Sequence, residues 1–251
     1  MTMPSLPIEV LPAEHRVACE RLRDELGDAL GPELVALWTY GAATFPDCPA
    51  GLGDVDTHGV LAQAPDDERS TTIDAIHDAI ATDLGIEWDS WYILESDATS
   101  AKPPKHVLQG HLVDDAWALH RAHWLAGQYL ALSGASPTDL VRPPSWGELR
   151  GDLMKEVSYI SGVLREHRED PGHAAYAVLN GCRVLYSVES QNVVTSKWAA
   201  GLWALEWLES SWRDAIRAAM RKYDARITPE DDELLVASMA PFVAFLKDRL
   251  L

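Results

Sequence analysis

The sequence predicts an α+β chain in which a mixed sheet with helices is followed by an α-helical bundle. Three observations carry this. Over the first half, apolar runs bounded by turn residues alternate with helical patterns in the order strand, loop, strand, helix, strand, which is how a sheet backed by helices reads. Ser133-Gly134-Ala135-Ser136-Pro137 and Arg142-Pro143-Pro144-Ser145 then bracket a linker. Beyond it every patterned stretch repeats at helical spacing. The expected division is 1–143 for the sheet-bearing domain and 144–251 for the bundle.

Taken in order, Pro12 to Leu30 places Val17, Leu22, Leu26 and Leu30 at helical spacing and stops at Gly31-Pro32. Leu34 to Tyr40 reads as a buried strand. A loop with Pro46, Pro49, Gly51 and Gly53 leads to a second strand from Asp54 to Leu61. Pro65-Asp66-Asp67-Glu68 opens a helix with acids in its first turn, carried by Ile73, Ile76, Ile80 and Leu84 and closed by Gly85. Ile86 to Leu94, aromatic and branched, reads as a third strand. Ser96 to Gly110 reads as a loop and Asp114 to Leu132 as a helix. Ser145 is the expected N-cap of the first bundle helix, 146 to about 167, and helices are expected over 174–188, 197–208, 211–225 and 229–250. Thr228-Pro229 supplies a cap followed by a proline just inside the last of these.

Composition narrows the partners. With 39 Asp and Glu against 21 Lys and Arg, the 251-residue chain carries a formal net charge of −18. That argues against a nucleic-acid backbone or an anionic membrane and would draw in a cationic ligand. The 3 cysteines, Cys19, Cys48 and Cys182, show no metal or disulfide spacing and fit a reducing cytoplasm. The first residues lack the basic and apolar regions of a secretion leader, and no run approaches the roughly 18 apolar residues of a membrane span. A cytoplasmic monomer is expected.

The chemistry gathers where the first two strands meet. Tyr40-Gly41-Ala42-Ala43 makes a glycine turn after the first strand, and the second strand opens with Asp54-Val55-Asp56. Residues i and i+2 of a strand share a face, so two carboxylates stand side by side. Such a pair suits a hard cation such as Mg²⁺, which is held by one or two carboxylates together with substrate phosphates. The other reading is a solvated acidic strand end. On the third strand Glu87 and Asp89 share a face, and either is placed to take a proton from an attacking hydroxyl. His58 shares the face of the aspartates, as a substrate contact or as a buried neutral ring. Trp88 or Trp91 would serve as core or as the wall of a cleft.

The glycine turn, Asp-x-Asp and a third acid together resemble the DNA polymerase β-like nucleotidyltransferases, whose pattern is Gly-Ser, a spacer, then Asp-x-Asp. The second half is similar to the C-terminal helical domain of the streptomycin/spectinomycin adenylyltransferases, through Tyr176-Ala177-Val178-Leu179-Asn180-Gly181-Cys182-Arg183, Ser196-Lys197-Trp198-Ala199-Ala200-Gly201 and the stretch from Ala215 to Tyr223. His120-Arg121-Ala122-His123-Trp124 resembles the helix joining the halves in that family.

The resemblance implies transfer of AMP from ATP to an aminoglycoside hydroxyl with Mg²⁺. It makes Asp54 and Asp56 the metal ligands, Gly41 and Ala42 the phosphate turn, and Arg183, Lys197 and Tyr223 the nucleotide contacts. Asp89 or Glu87 would be the base, depending on where the match is anchored. Two departures stand out. Ala42 replaces the family's serine and removes a hydroxyl from the triphosphate grip. Where streptomycin-modifying members carry a tryptophan and acids, this chain has Leu164, Glu169 or Asp170, and His173. The loss of a flat aromatic wall argues against streptomycin and leaves spectinomycin or another aminocyclitol as acceptor. The alternative is a binding relative that has kept the fold but lost turnover.

Overall fold

The structure, a computed structural model, describes residues 5–47, 54–109 and 116–250. Contacts divide the chain into two compact units, Met1–Pro46 with Gly53–Pro144, and Asp47–Leu52 with Ser145–Leu251. The predicted loop before Asp54 falls largely on residues 48–53, and the predicted helix start at Asp114 on 110–115, both outside the described residues.

The first unit is built on β1 (Leu34–Thr39), β2 (Val55–Leu61), β3 (Trp88–Leu94), β4 (Leu108–Gln109) and β5 (Leu130–Gly134). Among the described residues they form one mixed sheet in the order β4-β3-β2-β1-β5, with β2 and β3 parallel and the other neighbours antiparallel. The parallel pair needs a crossover, which α2 (Asp67–Leu84) supplies. Asp66 caps α2 by accepting from the Arg69 amide at 2.9 Å, and Gly85 ends it in the left-handed region. On one face of the sheet, α2 and α1 (Ala13–Leu30) bury Leu22, Leu26, Ile73 and Ile80 against Leu37, Val55 and Tyr92. On the other, α3 (Trp117–Leu125) lays Trp117 and Trp124 over Trp38, Trp91 and Val60.

Two expectations from sequence are corrected here. The helix predicted as far as Leu132 stops at Leu125, because the chain turns through Gly127 at φ 86°, and Leu130–Gly134 then pairs antiparallel with β1 as an edge strand. The stretch from Ser96 to Gly110, read as a loop, contains the two-residue edge strand β4. Both strands are short, and their pairing partners lie far away in sequence, so local pattern does not reveal them.

After α4 (Pro137–Leu140), which belongs to the first unit, every regular element among the described residues of the second unit is a helix. That unit comprises α5 (Trp146–Glu166), α6 (Pro171–Ser190), α7 (Lys197–Trp207), α8 (Arg213–Tyr223) and α9 (Pro229–Leu250). Ser145 and Glu148 form a reciprocal capping box at the start of α5, as the N-cap expectation requires. α6 packs on each of the other four. Its small and apolar residues, from Ala174 to Leu185, are buried, and Phe242 of α9 lies so close to Gly181 that a Cβ there would crowd the ring. The Asp231 amide donates to the Thr228 hydroxyl at 3.3 Å, the capping contact that opens α9.

Candidate active site

Strand register assembles the acids. On the face covered by α3, β2 presents Asp56, His58 and Val60 while β3 presents Asp89, Trp91 and Ile93, and the parallel pairing sets Asp56 opposite Asp89 and His58 opposite Trp91. Asp54 immediately precedes β2 and is exposed, whereas Asp56 and Asp89 are half-buried. Carboxylate oxygens of Asp54, Asp56 and Asp89 lie within 4.8 Å of one another. Glu87 stands outside this group. It is exposed, precedes β3, and contributes its backbone carbonyl to the Val55 amide at 2.8 Å.

Three carboxylates at this separation repel, and a hard divalent cation relieves the repulsion while using oxygen donors alone, so the set fits Mg²⁺. The glycine turn is built onto the same group. The Tyr40 amide and the Thr39 hydroxyl both donate to the Asp56 carbonyl, at 3.1 and 2.8 Å. Gly41 follows at φ 78° and ψ −155°, a conformation only glycine adopts readily, and a Cβ at this position would overlap the Asp56 carboxylate. Ala42 begins a 3₁₀ turn, Ala42–Thr44. The buried Thr44 hydroxyl donates to the Gly41 carbonyl at 2.8 Å, which tightens the turn and does not replace the missing serine of the turn.

Behind the acids lies an aromatic layer. Tyr40 packs against Trp124 and His120 at 5.3 and 4.8 Å, and burial, then the Asp56 carboxylate, push its phenol well above its ordinary range, with Asp89 and Asp54 adding in the same direction. His58 is fully buried among Trp38, Trp91, Trp117 and Trp124, with ring centroids 4.3 to 5.9 Å apart. Burial, then the His120 and Lys105 charges, hold it well below its ordinary value, so it is a neutral core residue beneath the acids and does not reach substrate. Trp88 and Trp91 are likewise buried and form no cleft wall; the Lys105 ammonium lies 4.4 Å from the Trp91 ring centroid.

The second unit gathers the other predicted residues. Lys197 opens α7 behind the Ser196 cap, whose hydroxyl donates to Asp47 at 2.7 Å and accepts from the Ala199 amide at 2.9 Å. Its ammonium lies 4.5 Å from the Tyr176 ring centroid and 6.0 Å from that of Tyr223. Arg183 lies on α6 with Tyr176 and Asn180, at i, i+4 and i+7 of one helical face. Its Nη2 is 3.6 Å from Glu156 Oε2 on α5. Sequence reasoning assigned no role to Tyr176 or Asn180 individually, although their spacing to Arg183 was a readable signal. It passed over Glu156 altogether, since nothing in sequence joins that residue to α6. Asp170 caps α6 through the His173 amide at 3.0 Å, and that hydrogen bond foremost holds its carboxyl below the usual range. His167 and His173 stack with ring centroids 3.8 Å apart.

Residues 150–248 match the family model of the aminoglycoside adenylyltransferase C-terminal domain. Among solved structures, the chain is similar to spectinomycin adenyltransferase AAD(9) from Enterococcus faecialis, whose crystal structure contains ATP and spectinomycin, at 13% identity and a TM-score of 0.70, over 91% of this chain and 98% of that one. No curated protein sequence matches significantly. The likeness in fold runs through sheet and bundle alike, and the family match falls on the bundle that carries Arg183, Lys197 and Tyr223. The helical half therefore matches the aminoglycoside adenylyltransferase C-terminal domain, and the chain as a whole shares the fold of a spectinomycin adenyltransferase.

Proposed function

We propose that the protein transfers the AMP moiety of ATP to a hydroxyl of a cationic aminocyclitol or aminoglycoside, spectinomycin-like in preference to streptomycin, in a Mg²⁺-dependent reaction. The observation that carries the reading is the convergence of Asp54, Asp56 and Asp89 beside the Gly41 turn. The fold shared with a spectinomycin adenyltransferase supports it.

Asp54 and Asp56 would hold Mg²⁺, which when bound supplies charge neutralisation at the triphosphate. Asp89, the register partner of Asp56, accepts the proton of the attacking hydroxyl. The hydroxyl oxygen forms a bond to the α-phosphorus while the bond from that phosphorus to the bridging oxygen breaks and pyrophosphate leaves. Gly41 and Ala42 bring backbone close to phosphate, and Arg183, Lys197 and Tyr223 hold the nucleotide from the helical unit. Residues 1–143 serve as the nucleotidyltransferase domain and 144–251 as the helical domain. Leu164, in place of an aromatic wall, and the net charge of −18 both favour a compact cationic acceptor over streptomycin or nucleic acid. The reading also carries a monomer in the cytoplasm with no membrane partner; among the described residues no helix is long and apolar enough to cross a membrane.

Pyrophosphate release from ATP and Mg²⁺ across a panel of aminoglycosides tests the reading. Release with spectinomycin and none with streptomycin is expected. A second reading, a relative that binds nucleotide without turnover, is favoured by Ala42, and ATP binding with no release for any acceptor would establish it.

A further inference from the structure

The residues assigned to the nucleotide in the helical unit are tied together by a carboxylate that no sequence motif marks. Glu156 reaches from α5 to α6 with its side chain 17% exposed. Its Oε2 accepts from Asn180 Nδ2 at 2.5 Å and lies 3.6 Å from Arg183 Nη2. Asn180 Nδ2 also donates to the Tyr176 hydroxyl at 3.1 Å, and the Tyr176 ring carries the Lys197 ammonium at 4.5 Å. Because a carboxylate accepts only, it must face the amine end of the fully buried Asn180 amide, so the orientation of that side chain is determined. One carboxylate on α5 thereby restrains three side chains on one face of α6 and, through Tyr176, the lysine that opens α7.

The distances distinguish restraint from capture. At 3.6 Å the Arg183 guanidinium is attracted to Glu156 without a short hydrogen bond, and a guanidinium has five N–H donors to offer elsewhere. Lys197 is likewise held over the face of the Tyr176 ring, which attracts an ammonium. Both cations are thus kept in place, Arg183 without a short hydrogen bond to Glu156 and Lys197 over the Tyr176 ring. Arginine and lysine are the side chains with the most rotamer freedom to lose on binding, so ordering them in advance removes a cost that binding would otherwise bear.

We infer that Glu156 is a positioning residue for the ATP grip, holding Arg183 directly and Lys197 through Asn180 and Tyr176. This rests on the reading that Arg183, Lys197 and Tyr223 bind the nucleotide. Glu156→Gln keeps an acceptor for Asn180 and removes the attraction to Arg183. ATP affinity measured by titration calorimetry should fall about three- to tenfold in this variant, with the melting temperature little changed. In an Arg183→Gln background the same change should have almost no further effect, since Glu156→Gln leaves the Asn180 route intact and removes only the attraction to Arg183. Wild-type ATP affinity in Glu156→Gln, an affinity loss only in proportion to lost stability, or a full additional loss in the Arg183→Gln background would each overturn the inference. Should Glu156→Gln not fold, Glu156→Asp, which retains the charge and withdraws it by one methylene, is read in the same way. Arg183→Gln and Lys197→Ala serve as the reference: if neither weakens ATP binding, the nucleotide assignment itself fails, and that outcome is distinct from loss in these two with none in Glu156→Gln.

Discussion

Asp56 and Asp89 are register partners on neighbouring parallel strands, so their carboxylates leave the sheet side by side from residues 33 positions apart in the chain. Glu87 lies two residues earlier, before β3 begins. Asp89→Asn should therefore reduce AMP transfer by about 10²- to 10⁴-fold, and Glu87→Gln, at an exposed position, by no more than about twofold. Turnover by pyrophosphate release checks both, and the reverse ranking would move the base to Glu87.

Divalent cation should stabilise the fold through the same acids. At a Mg²⁺ concentration tenfold above its dissociation constant the gain is about 1.4 kcal/mol, seen as a rise in melting temperature. Asp56→Ala should abolish both that rise and the turnover, and chelation of metal should silence the wild type reversibly. A Mg²⁺-dependent rise that persists in Asp56→Ala would place the cation elsewhere.

Gly41→Ala meets two obstacles, the backbone at φ 78° and the Asp56 carboxylate that a Cβ would overlap. The expected cost is about 1–3 kcal/mol of stability, read from denaturant unfolding, together with a loss of activity as Asp56 is displaced. Wild-type turnover in a stable Gly41→Ala variant would show that the turn is not packed on the acid as described.

Ala42→Ser restores a hydroxyl at the head of the turn. A hydrogen bond to a charged phosphate oxygen is worth about 1.5 kcal/mol, so KM for ATP should fall roughly tenfold with the fold unaltered. An unchanged KM would mean that the 3₁₀ turn holds residue 42 away from phosphate.

Acid should unfold the protein through two buried histidines. Burial lowers His77 to about 3 and pushes His58 well below its ordinary value. Above pH 6.5 both are neutral whether folded or unfolded, and stability is insensitive to them. As pH falls below 6.5 the unfolded chain takes up protons that the folded one refuses, so each histidine removes about 1.4 kcal/mol per pH unit, in the case of His77 down to about pH 3. Urea unfolding between pH 7 and pH 4.5 should show this slope, and His58→Phe, which suits the tryptophan cage, should reduce it by one proton. An unaltered slope in that variant would remove His58 as its source.

The sequence by itself determined the strands that carry Asp56 and Asp89, the first with Asp54 just before it, the helices of the bundle and the Ser145 cap, because each depends on periodicity and capping within a few residues. It also singled out Gly41, Arg183, Lys197 and Tyr223 as candidates through the motifs they share with the family it resembles. Only the tertiary structure separated Asp89 from Glu87, since both lie on one side of an extended segment and pairing with β2 decides which stands opposite Asp56. The edge strands β4 and β5 required partners remote in sequence, and so did the links among Glu156, Asn180, Tyr176 and Lys197. His58 went from possible substrate contact to caged core residue for the same reason: four tryptophans from three strands or helices close over it, and local pattern carries no record of what packs against a face.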